Sequence, residues 1–179
     1  EKKNIKFNYD ALQPIASAAF GSLRDALSIS EQVIAVSGDN SIAMSTVLEI
    51  LGLISSETLE SLVVAIVKND VAEALKISND SLSRGASAET ILDQLATVFH
   101  EICRTKILKS VGKGQQGNVL IGDEMPVTET DANLFYQICL LGKRDLHLAP
   151  NELVGLQMTI LRIVAFLPES PLSQKKKSI

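Results

Sequence analysis

The feature that most constrains the fold is the spacing of apolar residues, which recur every three to four positions along almost the whole chain. That period places them on one face of an α-helix, whereas a half-buried strand needs alternation with a period of two. No useful length of the sequence alternates in this way. The low aromatic content (4%) and the sparse glycine (10) and proline (5) also favour helices over sandwiches or barrels. The sequence therefore predicts an all-α protein, and no strand is assigned.

Capping residues divide the apolar pattern into separate helices. Ser22 is placed to cap a helix that ends at Gly38, and Asp70 with Glu73 matches a capping box whose helix ends near Gly85. The predicted helices cover residues 10–20, 22–37, 43–53, 56–68, 70–84, 87–110, a segment that begins at Thr128 or Thr130 and includes Leu141, and 151–167.

The turn cluster at residues 38–41 predicts a boundary between two helical units. We expect one unit over residues 1–38, a larger bundle over 41–168 and a flexible tail over 169–179. The tail carries a short lysine run at 175–177, which is typical of a solvated chain end. Because the chain begins with Glu1 rather than Met, we expect it to be a piece of a longer protein.

Charge and composition exclude several classes of function. The net charge of −4 argues against a domain that binds nucleic acid through a broad basic face. The longest apolar run, Leu62–Val67, is far shorter than the ~18 residues that a membrane span needs. Two cysteines without a secretory leader indicate a reducing compartment, so we expect a cytoplasmic location and no membrane contact.

Two motifs are weak candidates for a binding site. Gly112, Gly114 and Gly117 match G-x-G-x-x-G, but a helix rather than a strand is predicted before them, so a flexible loop is favoured over a dinucleotide site. Four possible zinc ligands lack the close pairing of known zinc motifs, and core cysteines with partly exposed histidines are favoured. These four are His100, Cys103, Cys139 and His147.

Arg24 is the most suggestive polar residue. With Ser22 as N-cap it falls in the first turn of its helix, where the backbone dipole favours anions. One interpretation is an arginine paired with Asp25 or with another surface acid. The other is an anion site, shared by Arg24 and the helix N-terminus, of the kind that takes a phosphate.

The last predicted helix is apolar on more than one side. A helix of this kind must be covered from several directions. The sequence leaves two alternatives open: the helix is central in the bundle, or it meets another subunit.

Four segments resemble one protein family. Ala19–Ala35, AFGSLRDALSISEQVIA, resembles the lid segment of the tau/gamma ATPase subunits of the bacterial DNA polymerase III clamp loader. Met44–Ile54 is similar to the segment after the lid, and Leu134–Pro150 and Gly155–Pro168 resemble the C-terminal helices of those subunits. The resemblance spans about residues 5–168.

The resemblance implies a partial AAA+ lid over residues 1–38, without its first helix, and an all-helical collar domain over 41–168. It implies that Arg24 is the sensor-2 arginine, which reaches the ATP phosphates in the intact subunit. Because the P-loop, the Walker B acids, the sensor-1 region and the arginine finger are absent from the sequence given, we expect no ATP hydrolysis by this fragment. It then has no cofactor of its own, whereas the intact subunit uses ATP and Mg.

The family further implies partners. Collar domains assemble with copies of themselves and with the delta and delta-prime subunits, and the whole assembly acts on the sliding clamp and primed DNA. We expect the apolar C-terminal helices to supply these contacts, with Phe135, Tyr136, Ile160 and Ile163 at the interface. The alternative is a free-standing helical metal-binding protein or enzyme that uses the His and Cys candidates.

Overall fold

The structure, a computed structural model, describes residues 5–38, 41–112 and 125–167. Within these ranges the chain is almost entirely helical, which confirms the all-α prediction. The helices are α1 Tyr9–Ala18, α2 Leu23–Ser37, α3 Met44–Leu51, α4 Ser56–Val67, α5 Val71–Ser83, α6 Ala88–Ser110, α7 Glu129–Asp145 and α8 Glu152–Ala165, with a 3₁₀ turn at Leu146–Leu148.

Side-chain caps begin most of these helices, as the sequence predicts. The Ser22 hydroxyl accepts a hydrogen bond from the Asp25 amide at 3.3 Å. A reciprocal capping box opens α7, in which the Asp131 amide donates to Thr128 Oγ1 and the Thr128 amide donates to Asp131 Oδ2. Ser87 is the N-cap of α6 but makes no side-chain cap.

Two very short strands were not predicted. β1 (Lys6–Phe7) pairs in parallel with β2 (Ser41–Ile42), so that the segment before α1 lies beside the segment after α2. A two-residue strand is too short to show alternation in a sequence, which explains the omission.

The helices form two bodies with separate apolar cores. The amino-terminal body (residues 5–51) contains α1, α2 and α3 around Ala11, Ile15, Val33, Ile42 and Val47. The sequence assigns α3 to the larger bundle, but the fully buried Val47 packs it against α1 and α2. In packing terms the two bodies therefore meet after α3, not at the turn cluster before it.

The carboxyl-terminal body (residues 54–167) is built around α8. This helix packs against α4, α5, α6 and α7, so it is the central helix of the bundle. The long helices α6 and α7 lie side by side, and the rings of Phe99 and Phe135 meet edge to face with centroids 5.3 Å apart. The inward stripe of α8 is formed by Leu156, Thr159, Ile160 and Ile163.

The apolar helix α4 is enclosed by its neighbours. Six residues of α4 are buried, including Leu62, Val63 and Ile66 with no exposed surface. In the described ranges no single helix is both long and apolar enough to cross a membrane. Only α3 and α4 taken together, with a 58° bend between them, reach the required length and composition.

Candidate functional site

Arg24 lies in the first turn of α2 and is exposed. Among the residues that the structure describes, its guanidinium has no hydrogen bond or ion pair, and it does not pair with the neighbouring Asp25. The Asp25 amide donates a hydrogen bond to the Ser22 hydroxyl, and the Ala26 amide donates one to the Ser22 carbonyl. The guanidinium is therefore open to a ligand or to another domain.

Exposed apolar side chains flank this arginine in the chain. Leu23 and Leu27 are 83% and 65% exposed and lie one turn apart on α2, and Phe20 just before the helix is 95% exposed. The backbone of Phe20 has a φ of +47°, a left-handed conformation that is uncommon outside glycine. A large apolar group left in water beside an unpaired cation is typical of an interaction surface. We call Phe20, Leu23, Arg24 and Leu27 the α2 face.

The residues predicted for the subunit interface are mostly internal. Phe135, Ile160 and Ile163 have no exposed surface in the single chain. A side chain that is already enclosed has no area left to bury against a partner, so these three are core residues and not contact residues. Tyr136 is half-buried, and its ring lies 6.3 Å from the ring of His100 on α6.

The opposite side of α8 offers the surface that the sequence could not place. Val154, Met158, Leu161 and Ala165 share one stripe of the helix, and Val154 and Met158 are 37% and 46% exposed. Their spacing of four, three and four residues averages about 3.7, close to the 3.6 residues of one helical turn, so the four side chains lie along one face of α8. We call these four residues the α8 outer stripe. Leu141, Leu148 and Phe166 are further exposed apolar residues at the ends of α7 and α8.

The four possible metal ligands do not form a site. No group of three or more His, Cys, Asp or Glu side chains within the described ranges is arranged to hold a metal ion. Cys139 is fully buried, and burial raises the pKa of its thiol to about 12, so it stays protonated at neutral pH. His147 is exposed on the 3₁₀ turn, and His100 lies 3.3 Å from the carboxylate of Glu101, its neighbour on α6.

The glycine motif also lacks the setting of a dinucleotide site. The long helix α6 precedes it, and Gly112 follows that helix with a φ of +68°. Gly114 and Gly117 lie outside the described residues. A dinucleotide fingerprint requires a strand before the turn, which the helix α6 is not, and the flexible loop stays a prediction.

Two family models match consecutive parts of the chain. Residues 1–39 match the ATPase lid domain of the DNA polymerase III clamp loader subunit, and residues 42–176 match domain III of DNA polymerase III subunits gamma and tau. The models change over at the turn cluster that the sequence predicts as a boundary, although α3 packs on the amino-terminal side.

Curated relatives agree with these matches. The chain is 34% identical over 180 residues to DNA polymerase III subunit tau of Escherichia coli K12, covering 97% of the chain and 27% of that protein. It is 28% identical to DNA polymerase III subunit gamma of Buchnera aphidicola subsp. Baizongia pistaciae, covering 90% of the chain and 45% of that protein. The chain thus spans between about a quarter and a half of the length of these relatives.

A solved structure supports the fold. The DNA clamp loader delta protein of Bacillus subtilis superposes with a TM-score of 0.53 over 90% of this chain and 52% of that one, at 17% identity. An ATPase lid followed by a helical bundle of this kind defines a clamp-loader subunit. More narrowly, the chain belongs to the DNA polymerase III gamma/tau subunit family, of which it comprises the lid domain and domain III.

Proposed function

We propose that this part of the subunit builds the clamp-loader ring. The carboxyl-terminal body acts as a collar that joins copies of the chain to one another and to the delta and delta-prime subunits. The intact subunit binds ATP and Mg through its preceding ATPase domain, and the assembly loads the sliding clamp onto primed DNA in the cytoplasm. The fragment alone does not hydrolyse ATP, because its sequence contains no P-loop.

The observation that carries this proposal is the α8 outer stripe. The core of the carboxyl-terminal body is closed, with Leu156, Ile160 and Ile163 fully buried, yet Val154 and Met158 on the other side of the same helix remain in water. Leu148, beside the start of α8, is 74% exposed. An exposed apolar stripe along one face of a helix is stabilised when another helix covers it. A second copy of the same collar supplies such helices.

Replacing Met158 with glutamate is expected to weaken self-association without unfolding the chain. The charge enters the proposed contact, where it would be buried unpaired, but it stays in water in the single chain. Loss of a contact of this kind raises the dissociation constant about tenfold or more. Sedimentation velocity over a concentration series measures the dissociation constant.

The matched control is Val36→Glu, which places the same charge on an exposed apolar position of α2 that is not part of the α2 face. This variant should associate like the unaltered chain. Equal association of the unaltered chain and Met158→Glu would remove the α8 outer stripe from the interface.

Arg24 and the α2 face support a second part of the proposal, contact with the ATP site of the intact subunit. The amides at the start of α2 and the unpaired guanidinium both attract an anion. The phosphate groups of ATP are anions of this kind. The exposed leucines beside Arg24 are then covered by the ATPase domain.

Arg24→Ala is expected to leave the stability of the fragment within about 0.5 kcal/mol, as for other exposed substitutions. In the reconstituted loader it should slow ATP-dependent clamp loading about 10- to 100-fold, the range for losing a charge-assisted hydrogen bond to a phosphate. Arg84→Ala removes another exposed arginine, on the collar side, and serves as control. Normal loading by the Arg24 variant would refute the assignment to the phosphates.

A further inference from the structure

The two bodies are joined by a very short connection. Every closely packed pair of helices or strands lies within one body or the other. Leu51 packs on the amino-terminal core, and Ile54 is buried in the carboxyl-terminal core, so only Gly52 and Leu53 lie between the two anchored residues. The relative orientation of the two bodies therefore depends on the conformation of these two residues and on what holds them.

The backbone of Gly52 makes hydrogen bonds with both bodies, through its amide with the amino-terminal body and through its carbonyl with the carboxyl-terminal body. Its amide donates to the Glu49 carbonyl at 3.1 Å as part of the end of α3, and the Leu53 amide donates to the Leu48 carbonyl at 2.9 Å. Its carbonyl points to the other body, where it accepts from the Ser87 amide at 3.0 Å.

The backbone conformation and the close neighbours at this junction strongly favour glycine. Gly52 has a φ of +63°, and a Cβ atom there would lie 3.2 Å from Ser87 Cβ and 3.3 Å from the Ser87 nitrogen. Any side chain would therefore strain the backbone and would require Ser87 to shift by a few tenths of an ångström.

Two side chains of α6 complete the connection. The Thr90 hydroxyl lies within hydrogen-bond distance of two carbonyl oxygens, those of Gly52 and Ser87, which share its one proton. The Gln94 side chain makes hydrogen bonds to both backbone polar groups of Ile54. Its Oε1 accepts from the Ile54 amide at 3.1 Å, and its Nε2 donates to the Ile54 carbonyl at 2.9 Å. Thr90 and Gln94 lie one turn apart on one face of α6. Together with the Ser87 amide, they bond the backbone on both sides of Leu53.

We propose that Thr90 and Gln94 form a lock on a hinge at Gly52–Leu53, and that this lock sets the orientation of the amino-terminal body on the carboxyl-terminal body. Opening the lock breaks the hydrogen bonds from the Thr90 and Gln94 side chains to the backbone of Gly52 and Ile54, but it leaves both apolar cores intact. The amino-terminal body can then rotate as a unit. Under the proposed function, the lock fixes how Arg24 is presented relative to the collar ring.

The test uses the whole chain and two spin labels. Cysteines are placed at the exposed Ser28 on α2 and Asn133 on α7, with Cys103 replaced by serine and the buried Cys139 retained. Pulsed electron resonance then measures the distance distribution between the labels. Dilute protein keeps the readout independent of self-association and of ATP, so its outcome is separate from that of the proposed function.

Gln94→Ala combined with Thr90→Val should broaden this distribution to at least about twice its width and should speed hydrogen exchange of the Ile54 amide about tenfold or more. Exchange of the Val63 and Leu92 amides inside the core helices should stay unchanged, which shows that the body still folds. Thr97→Ala is the control, because its hydroxyl bonds only within α6, to the Asp93 carbonyl at 2.8 Å.

An unchanged distance distribution alongside faster Ile54 exchange would overturn the proposal, because the orientation would then be set elsewhere. Broad distributions of equal width in the unaltered chain and the variant would overturn it as well. Should the double variant unfold, Gln94→Glu keeps the acceptor for the Ile54 amide but loses the donor to its carbonyl. Its distribution should be intermediate in width, and a distribution as narrow as that of the unaltered chain would refute the lock.

Discussion

Ile160→Lys is expected to destabilise the carboxyl-terminal body strongly. Ile160 has no exposed surface and lies on the inward stripe of the central helix α8. An ammonium group there would be buried without a partner, a situation that costs about 3–5 kcal/mol. Since small domains are stable by only about 5–15 kcal/mol, this is a large part of the total. Denaturant unfolding followed by circular dichroism measures the loss.

Ile160→Val is the matched control for this position. It removes one methylene group and should cost about 0.5–1.5 kcal/mol. Met158→Lys places the same ammonium group two residues away on the exposed side and should leave the unfolding midpoint nearly unchanged. A lysine at 160 that unfolds at the same denaturant concentration as the unaltered chain would contradict the burial of this stripe.

Gly142→Val is the second substitution with a large effect. Gly142 lies inside α7, where glycine is unfavourable by about 1 kcal/mol relative to alanine, so its presence needs another reason. That reason is contact with α8, because a Cβ atom on Gly142 would overlap the side chain of the buried Thr159 and lie 2.9 Å from its Cβ. A valine must separate α7 from α8, which we expect to cost about 3 kcal/mol.

The double variant Gly142→Ala with Thr159→Ala tests this cause. Shortening Thr159 removes the two atoms that the new methyl group would overlap most, so the double variant should be more stable than Gly142→Ala alone. Thermal unfolding of both variants measures the difference. A second substitution that only adds to the destabilisation would show that the helices are not held together by this contact.

Helix content and helix ends could be predicted from the sequence because they depend on local signals. Ser22, Asp70 and Thr128 all accept hydrogen bonds from the amides at the starts of their helices. Ser87 shows the limit of local reasoning: its side chain makes no cap, and the Ala88 amide donates instead to Glu152 on α8, which is 64 residues away in the chain.

The side of α8 that faces the core could not be predicted in the same way. A helix with apolar residues on two stripes has no polar face to mark the outside, so Ile160 and Val154 look alike in the sequence. The inward stripe is selected by Gly142 and by the helices around α8, which are long-range contacts. For this reason three of the four predicted interface residues, Phe135, Ile160 and Ile163, lie in the core.

The hinge region was missed for a related reason. The apolar pattern places Gly52 inside a helix predicted over residues 43–53, whereas α3 ends at Leu51, and Gln94 is only a polar residue in an amphipathic helix. The hydrogen bonds of Gln94 reach the backbone of Ile54, which is 40 residues away in the chain. A contact over that separation depends on the tertiary fold and leaves no local signal in the sequence.

Methyl resonances of the three methionines offer a direct view of the α8 outer stripe. Met158 lies on the stripe, Met44 is half-buried in the amino-terminal body and Met125 is half-buried against the other core. Carbon-13 methyl spectra are recorded as the concentration of the unaltered chain is raised through its association range. The Met158 signal should shift or broaden while the Met44 signal stays in place. A mass that rises with concentration while the Met158 signal does not move would contradict assembly through α8.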